Sequence, residues 1–248
     1  MKTPDYYKTT QGRNLAYHQF TGTSDLPGVV FLGGFHSDMK GTKAVHLEAW
    51  AKTQGRSFLR FDYSGHGQSL GAFTDGCIGE WAQDAMDIIT HKTNGKLVLV
   101  GSSMGGWISL LVARAMPAYV AGLVGIAAAP DFTEDSMWDG FNAQQRRDLL
   151  ENGRVELPSE YDDPYVITKK LIEDGRNHLV LRSALNLPFP TRFLQGTFDK
   201  DVDQSVALQL LDHAIGDDIQ LNLVKGADHR FSTSECLALI TSAIAQVS

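Results

Sequence analysis

The sequence holds only two cysteines in 248 residues, Cys77 and Cys236. They form no Cys-x-x-Cys pair and no Cys/His ligand spacing, so neither a disulfide framework nor a zinc site organises the chain, and both read as plain thiols of a reducing compartment. Long apolar runs are missing too. The longest, 120–130, falls far short of the roughly 20 residues a membrane-spanning helix needs, and residues 1–10 lack the apolar segment of a signal peptide. Positive charge is scarce: 22 Lys and Arg against 29 Asp and Glu give a net −7 and an isoelectric point near 5.6. No basic stripe is left to neutralise phosphates, which argues against nucleic acid and anionic membranes as partners. No His-Glu-x-x-His or comparable ligand spacing occurs, and no Gly-x-Gly-x-x-Gly or phosphate loop opens a first βα unit, so the expectation is no metal and no cofactor. Repeats and low-complexity tracts are absent. The location these features predict is cytoplasmic, or mitochondrial if the chain is a processed eukaryotic form.

A chain of this length buries a sizeable core without staples, and one α/β domain over 1–248 is expected. Residues 6–9 and 14–20 read as an antiparallel hairpin around Gln11-Gly12. Buried strands are predicted at 28–32, 57–61, 97–100 and 120–128, with helices at 42–53 and 80–91 and another from Gly105 onward. Alternation then stops. From 131 to 190 the pattern predicts helices over 136–152 and 165–174 and no strand of the main layer, and a stretch this long reads as an inserted cap. Strands at 191–194 and 219–224 and helices at 203–214 and 233–246 resume the rhythm. The fold class is therefore α/β: an eight-stranded, mostly parallel sheet with helices on both faces and a cap after the sixth strand.

The most informative stretch is Gly101-Ser102-Ser103-Met104-Gly105, a Gly-x-Ser-x-Gly set between a buried strand and a helix. That context makes it a nucleophile elbow, with Ser103 exposed on a strained turn at the positive end of the following helix. The Gly33-Gly34-Phe35 turn after the strand at 28–32 can bring one amide to the same spot. The backbone N–H groups of Phe35 and Met104 are the candidate oxyanion donors.

A serine hydroxyl needs a base, and the base an acid, in the chain order Ser, acid, His for this topology. His213 and His229 both follow the candidate acids, and His229 is favoured because it sits in a loop rather than in a helix. Asp199 is the favoured acid, with Asp201, Asp203 and Asp131 as rivals. His66 precedes the nucleophile between glycines and reads as a loop-shaping residue.

With these residues in view the chain resembles a serine hydrolase of the α/β-hydrolase superfamily over nearly its whole length. Within it, the chain resembles the α/β-hydrolase-domain-ten type, mitochondrial acyl-protein (palmitoyl-protein) thioesterases and acyl-glucuronide esterases. The similarity is carried by Ser37-Asp-Met-Lys-Gly-Thr-Lys-Ala44, Arg60-Phe-Asp-Tyr-Ser-Gly65, Gly101-Ser-Ser-Met-Gly-Gly-Trp107, Leu157-Pro-Ser-Glu-Tyr161 and Asp228-His-Arg230. His36 departs from that type, and the lack of a leader before Met1 points to a bacterial relative. The resemblance implies Ser103, Asp199 and His229 as nucleophile, acid and base.

The expected function is hydrolysis of a thioester or carboxylic ester, small or protein-borne, through an acyl-enzyme. Trp138, in the expected cap, is the candidate substrate-binding residue for the acyl chain. A carbon–carbon bond hydrolase with the same triad and a non-catalytic receptor on the same scaffold are the alternatives.

Overall fold

The structure is a computed structural model and describes residues 3–157 and 164–248. Strands β1 (Asp5–Lys8) and β2 (Asn14–Phe20) pair antiparallel, Lys8 opposite Asn14, with the turn at Gly12 in the left-handed region. Then follow β3 (Gly28–Leu32), α1 (Thr42–Thr53), β4 (Phe58–Phe61), α2 (Ile78–Lys92), β5 (Leu97–Ser102), α3 (Met104–Ala115) and β6 (Val120–Ile126). The chain then leaves the sheet for a π-helical turn (Thr133–Trp138), α4 (Ala143–Asn152), a hairpin of β7 (Arg154–Leu157) and β8 (Tyr165–Thr168), α5 (Lys169–Arg176) and the short β9 (Leu185–Asn186). It returns with β10 (Thr191–Gly196), α6 (Gln204–His213), the two-residue β11 (Ala214–Ile215), β12 (Ile219–Val224) and α7 (Ser234–Gln246).

Eight strands form the main sheet in the order β1-β2-β4-β3-β5-β6-β10-β12, and only β2 runs against the others. Alternating residues explain why its central strands are apolar throughout. Val30 and Leu32 of β3 pack on the side of α2 and α3, with Trp81 and Trp107, while Val29 and Phe31 pack on the side of α1 and α7, with Leu47 and Ile240. A strand buried on both faces has no position for a solvated residue. Because β4 and β5 lie on opposite sides of β3, the connections leaving β3 and β5 diverge, and a crevice opens at the carboxyl ends of the strands.

Two expectations for the segment after β6 are corrected. The helix expected over 136–152 is broken before Ala143, because Asn142 caps a new helix: its side chain accepts from the amides of Gln144 and Gln145, both at 2.9 Å, and Gln145 reaches back to the Asn142 amide. The helix expected over 165–174 begins only at Lys169. Tyr-Val-Ile-Thr before it is β-branched and aromatic, pairs with β7, and ends at Thr168, whose hydroxyl caps α5 through the Leu171 amide. Pro158 and Tyr161, also singled out in the sequence, lie outside the described residues. Among the described residues no helix is long and apolar enough to cross a membrane.

Candidate active site

At the end of β5 the backbone turns sharply into α3, and Ser103 takes φ 55°, ψ −120°, a conformation L-residues rarely adopt. The flanking glycines are steric requirements. A Cβ on Gly101 would stand 2.2 Å from the Gly105 carbonyl oxygen, and one on Gly105 would stand 2.0 Å from that of Leu32 in β3. The turn is held by its own backbone: the Ser103 amide donates to Ile126 of β6 at 2.9 Å, and its carbonyl accepts from Gly106 and Ala129.

The loop after β3 runs directly against this elbow. A Cβ on Gly34 would already touch the Cβ of Ser103 at 3.3 Å, so the chain can pass here only as glycine without displacing the serine. The next residue is Phe35, whose ring is fixed edge-on against Phe73 and Phe132, with centroids 4.9 and 5.6 Å away. Met104 is the first residue of α3, so its amide lies ahead of the first intrahelical bonds.

Strand β10 delivers Asp199. Its buried carboxylate accepts from the Asp201 and Val202 amides at 2.9 Å each, from Gln195 Nε2 at 3.1 Å, and from His229 Nδ1 at 2.9 and 3.1 Å. Burial alone would raise the Asp199 pKa, but the hydrogen bonds from His229 and the two amides outweigh it and hold the carboxyl below its usual range. An ionised Asp199 only accepts, so Nδ1 of His229 carries the proton and Nε2 keeps the lone pair. Ser103, His229, Phe35 and Gly34 line one cleft of about 210 Å³, together with Lys43 and Arg230.

The rival acids have other partners. Asp131 is fully buried and accepts from the Val180 and Leu181 amides at 2.8 and 3.0 Å and from Arg182 at 3.2 Å, anchoring the far end of the segment after β6. Asp203 caps α6 through the Ser205 amide, and Asp201 contributes its own amide to Asp199. His213 faces the carbonyls of Val180 and Ser183. Trp138 does not line the cleft. Its ring is faced by the guanidinium groups of Arg146 and Arg176, 5.0 and 4.7 Å from its centroid. Asp199, Asp201 and His229 place ligand atoms within 4.8 Å of one another, yet the oxygens of Asp199 meet N–H donors on every side, a set that satisfies a carboxylate without a cation.

Gln195, Lys43 and Arg230 were not singled out individually from the sequence. Gln195 carries a usable signal, since it is a polar residue at the end of a buried strand, four positions before Asp199; the other two are visible only inside longer motifs.

His66 fills a structural place among Tyr63, Phe73 and Trp81. Burial pushes its pKa down to about 4, with a smaller opposing hydrogen bond to the Ser64 carbonyl. Its neutral form is the folded one, so the stability it contributes is complete above the unfolded pKa of about 6.5 and is lost as pH falls toward 4. The expected loss over that window is about 3 kcal/mol. Urea midpoints at pH 7 and pH 4.5 should show it, and His66→Leu should flatten that dependence.

Residues 27–171 match the family described as "Serine aminopeptidase, S33". The chain is 33% identical over 244 residues to the palmitoyl-protein thioesterase ABHD10, mitochondrial, of Rattus norvegicus, covering 98% of this chain and 81% of that protein. Among solved structures it resembles a putative hydrolase from Agrobacterium vitis S4, with a TM-score of 0.95, 38% identity and 98% coverage of both chains. It also resembles the α/β-hydrolase domain-containing protein 10 from mouse, with a TM-score of 0.90, 31% identity, and coverage of 99% of this chain and 98% of that one.

Proposed function

The chain belongs to the serine aminopeptidase S33 family of α/β-hydrolases, and from that premise we propose how its site works and on what. It is an enzyme, a hydrolase of the esterase and thioesterase type. In our reading Ser103 Oγ attacks the acyl carbonyl while His229 Nε2 takes its proton. The Phe35 and Met104 amides hold the oxyanion, and each such donor is worth about 10²- to 10³-fold in rate. His229 then returns the proton to the departing thiol or alcohol. Water repeats the sequence on the acyl-Ser103 ester and releases the carboxylic acid. Asp199 keeps Nδ1 protonated and stabilises the imidazolium.

The observation that carries this reading is the pairing of His229 Nδ1 with the buried Asp199 carboxylate at 2.9 Å, beside the same cleft in which strained Ser103 stands. Labelling by a fluorophosphonate, followed by a panel of acyl thioesters and oxygen esters of graded length, tests it. No labelling of the wild-type protein would refute it.

For the substrate, the relatives named palmitoyl-protein thioesterase support an acyl thioester or ester, protein-borne or small. We read 1–248 as one hydrolase domain with 131–190 as a cap, and we place its action in the cytoplasm, or in the mitochondrion as for those named relatives. Each buried methylene contributes at most about 0.8 kcal/mol, about fourfold in kcat/KM. The expected profile therefore rises over several carbons before it levels. A wild-type profile that is flat or highest for acetyl would point to small or polar esters instead.

A further inference from the structure

The first half of the loop 225–232 that carries His229 is tied to the loop of Asp199: the Gly226 amide donates to Thr197 Oγ1 and the Ala227 carbonyl accepts from the Phe198 amide, both at 3.0 Å. Within the loop the backbone closes two turns, Ala227 to Val224 at 3.3 Å and Phe231 to Asp228 at 3.2 Å, and the second half is anchored by the Phe231 ring, buried at a left-handed φ of 49°, with the Phe231 amide also donating to Asp228 Oδ1 at 3.1 Å. On the far side of His229 one carbonyl takes two further tethers. The oxygen of Arg230, next to His229, accepts from Ser232 Oγ at 2.7 Å and from the ammonium of Lys43, which lies 187 positions away in sequence. Lys43 is the second residue of α1, the helix that begins where the loop carrying Phe35 ends. It thus spans the cleft from the side of the oxyanion donors to the side of the base.

We propose that Lys43 is a positioning residue, whose ammonium, by holding the Arg230 carbonyl to the start of α1, sets where the His229 ring stands relative to Ser103. The proposal rests on the catalytic reading given above. Among the described residues no salt bridge within 4.0 Å joins Lys43 to a carboxylate. A cation placed in a half-buried cleft and directed to a backbone carbonyl beside the general base acts on that carbonyl first. The charged and titratable groups facing it are Asp228, Asp199, Arg230, Cys236, His229 and, on the same cleft wall, Asp38. Burial is the largest influence on Lys43, and with Arg230 it outweighs the two carboxylates and brings the amine down to about 8. Above that pH the neutral amine is a weaker donor, and the base loop is held less firmly.

The test is steady-state kinetics on a reactive acyl thioester and the rate of fluorophosphonate labelling, each from pH 6 to 10, for Lys43→Met and Lys43→Arg. A displaced base costs chemistry rather than binding, so Lys43→Met should lower kcat by about tenfold to a hundredfold. KM should stay within about twofold, and labelling should slow in proportion. Lys43→Arg, which donates to a carbonyl and stays charged throughout, should recover most of kcat and lack the decline expected of the wild type above pH 8. Wild-type kcat in Lys43→Met would overturn the proposal, as would a loss that Lys43→Arg fails to rescue. Should Lys43→Met not fold, an alkaline decline in Lys43→Arg identical to the wild type would overturn it. If Ser103→Ala still labels, the underlying reading fails; if it does not label while Lys43→Met is fully active, only this proposal fails.

Discussion

Ser103→Ala should lower kcat by about 10⁶-fold on any thioester or ester the wild type accepts. It should also abolish covalent labelling by a fluorophosphonate while leaving the thermal midpoint where it was. The rate effect is large because the hydroxyl is the atom that forms the bond, and it stands on the strained turn in the same cleft as His229. The stability effect is small because the turn is held by backbone bonds to Ile126, Gly106 and Ala129, none of which uses the side chain. A sharper companion is Ser103→Gly. At φ 55° and ψ −120° the Cβ is the source of strain, so glycine should be equally inactive yet more stable than alanine by about 1 kcal/mol or more. Mass spectrometry of the labelled protein and thermal melts of the three forms decide it. Turnover near wild type in Ser103→Ala would remove the nucleophile assignment.

That turn was legible in the sequence for a physical reason. Gly101 and Gly105 are forced by contacts made within the motif and with the neighbouring strand, so the local pattern already carries the constraint. The same holds for β3, a short apolar run between turn residues, and for β12, where Ile219, Leu221 and Leu223 alternate with Gln220 and Asn222. The hairpin of β7 and β8 was less legible. Tyr165 to Thr168 has strand propensity, but it abuts a helix with a strong apolar face, and only the pairing with Arg154–Leu157 decides where one ends and the other begins. Lys43 illustrates the limit most clearly: nothing within several residues of it hints at a carbonyl 187 positions away. Asp131 and Asp199 show it for the acid. Both follow a buried parallel strand and both are enclosed carboxylates; what separates them is which donors the fold brings to each, and no local pattern records that.

The difference between those two carboxylates yields the second large effect. Asp199→Asn should lower kcat by about 10⁴-fold. An asparagine amide facing Nδ1 can donate as well as accept. The amides of Asp201 and Val202 continue to claim the position of Oδ1 and so hold the side-chain oxygen there. The Nε2 of Gln195 and the Nδ1 of His229 then meet an NH₂ group, and the histidine answers by moving its proton to Nε2, where it can no longer accept one from Ser103. Binding should be little affected, so KM should stay close to wild type while kcat falls. Asp131→Asn should do the reverse. It leaves the rate nearly unchanged but weakens the anchor on Val180, Leu181 and Arg182, with a loss of about 1–3 kcal/mol in unfolding free energy. Asp201→Asn should change neither, because its contribution to the site is its backbone amide. Kinetics and urea denaturation on the three variants separate these roles, and a rate loss of several orders in Asp131→Asn rather than in Asp199→Asn would reassign the acid.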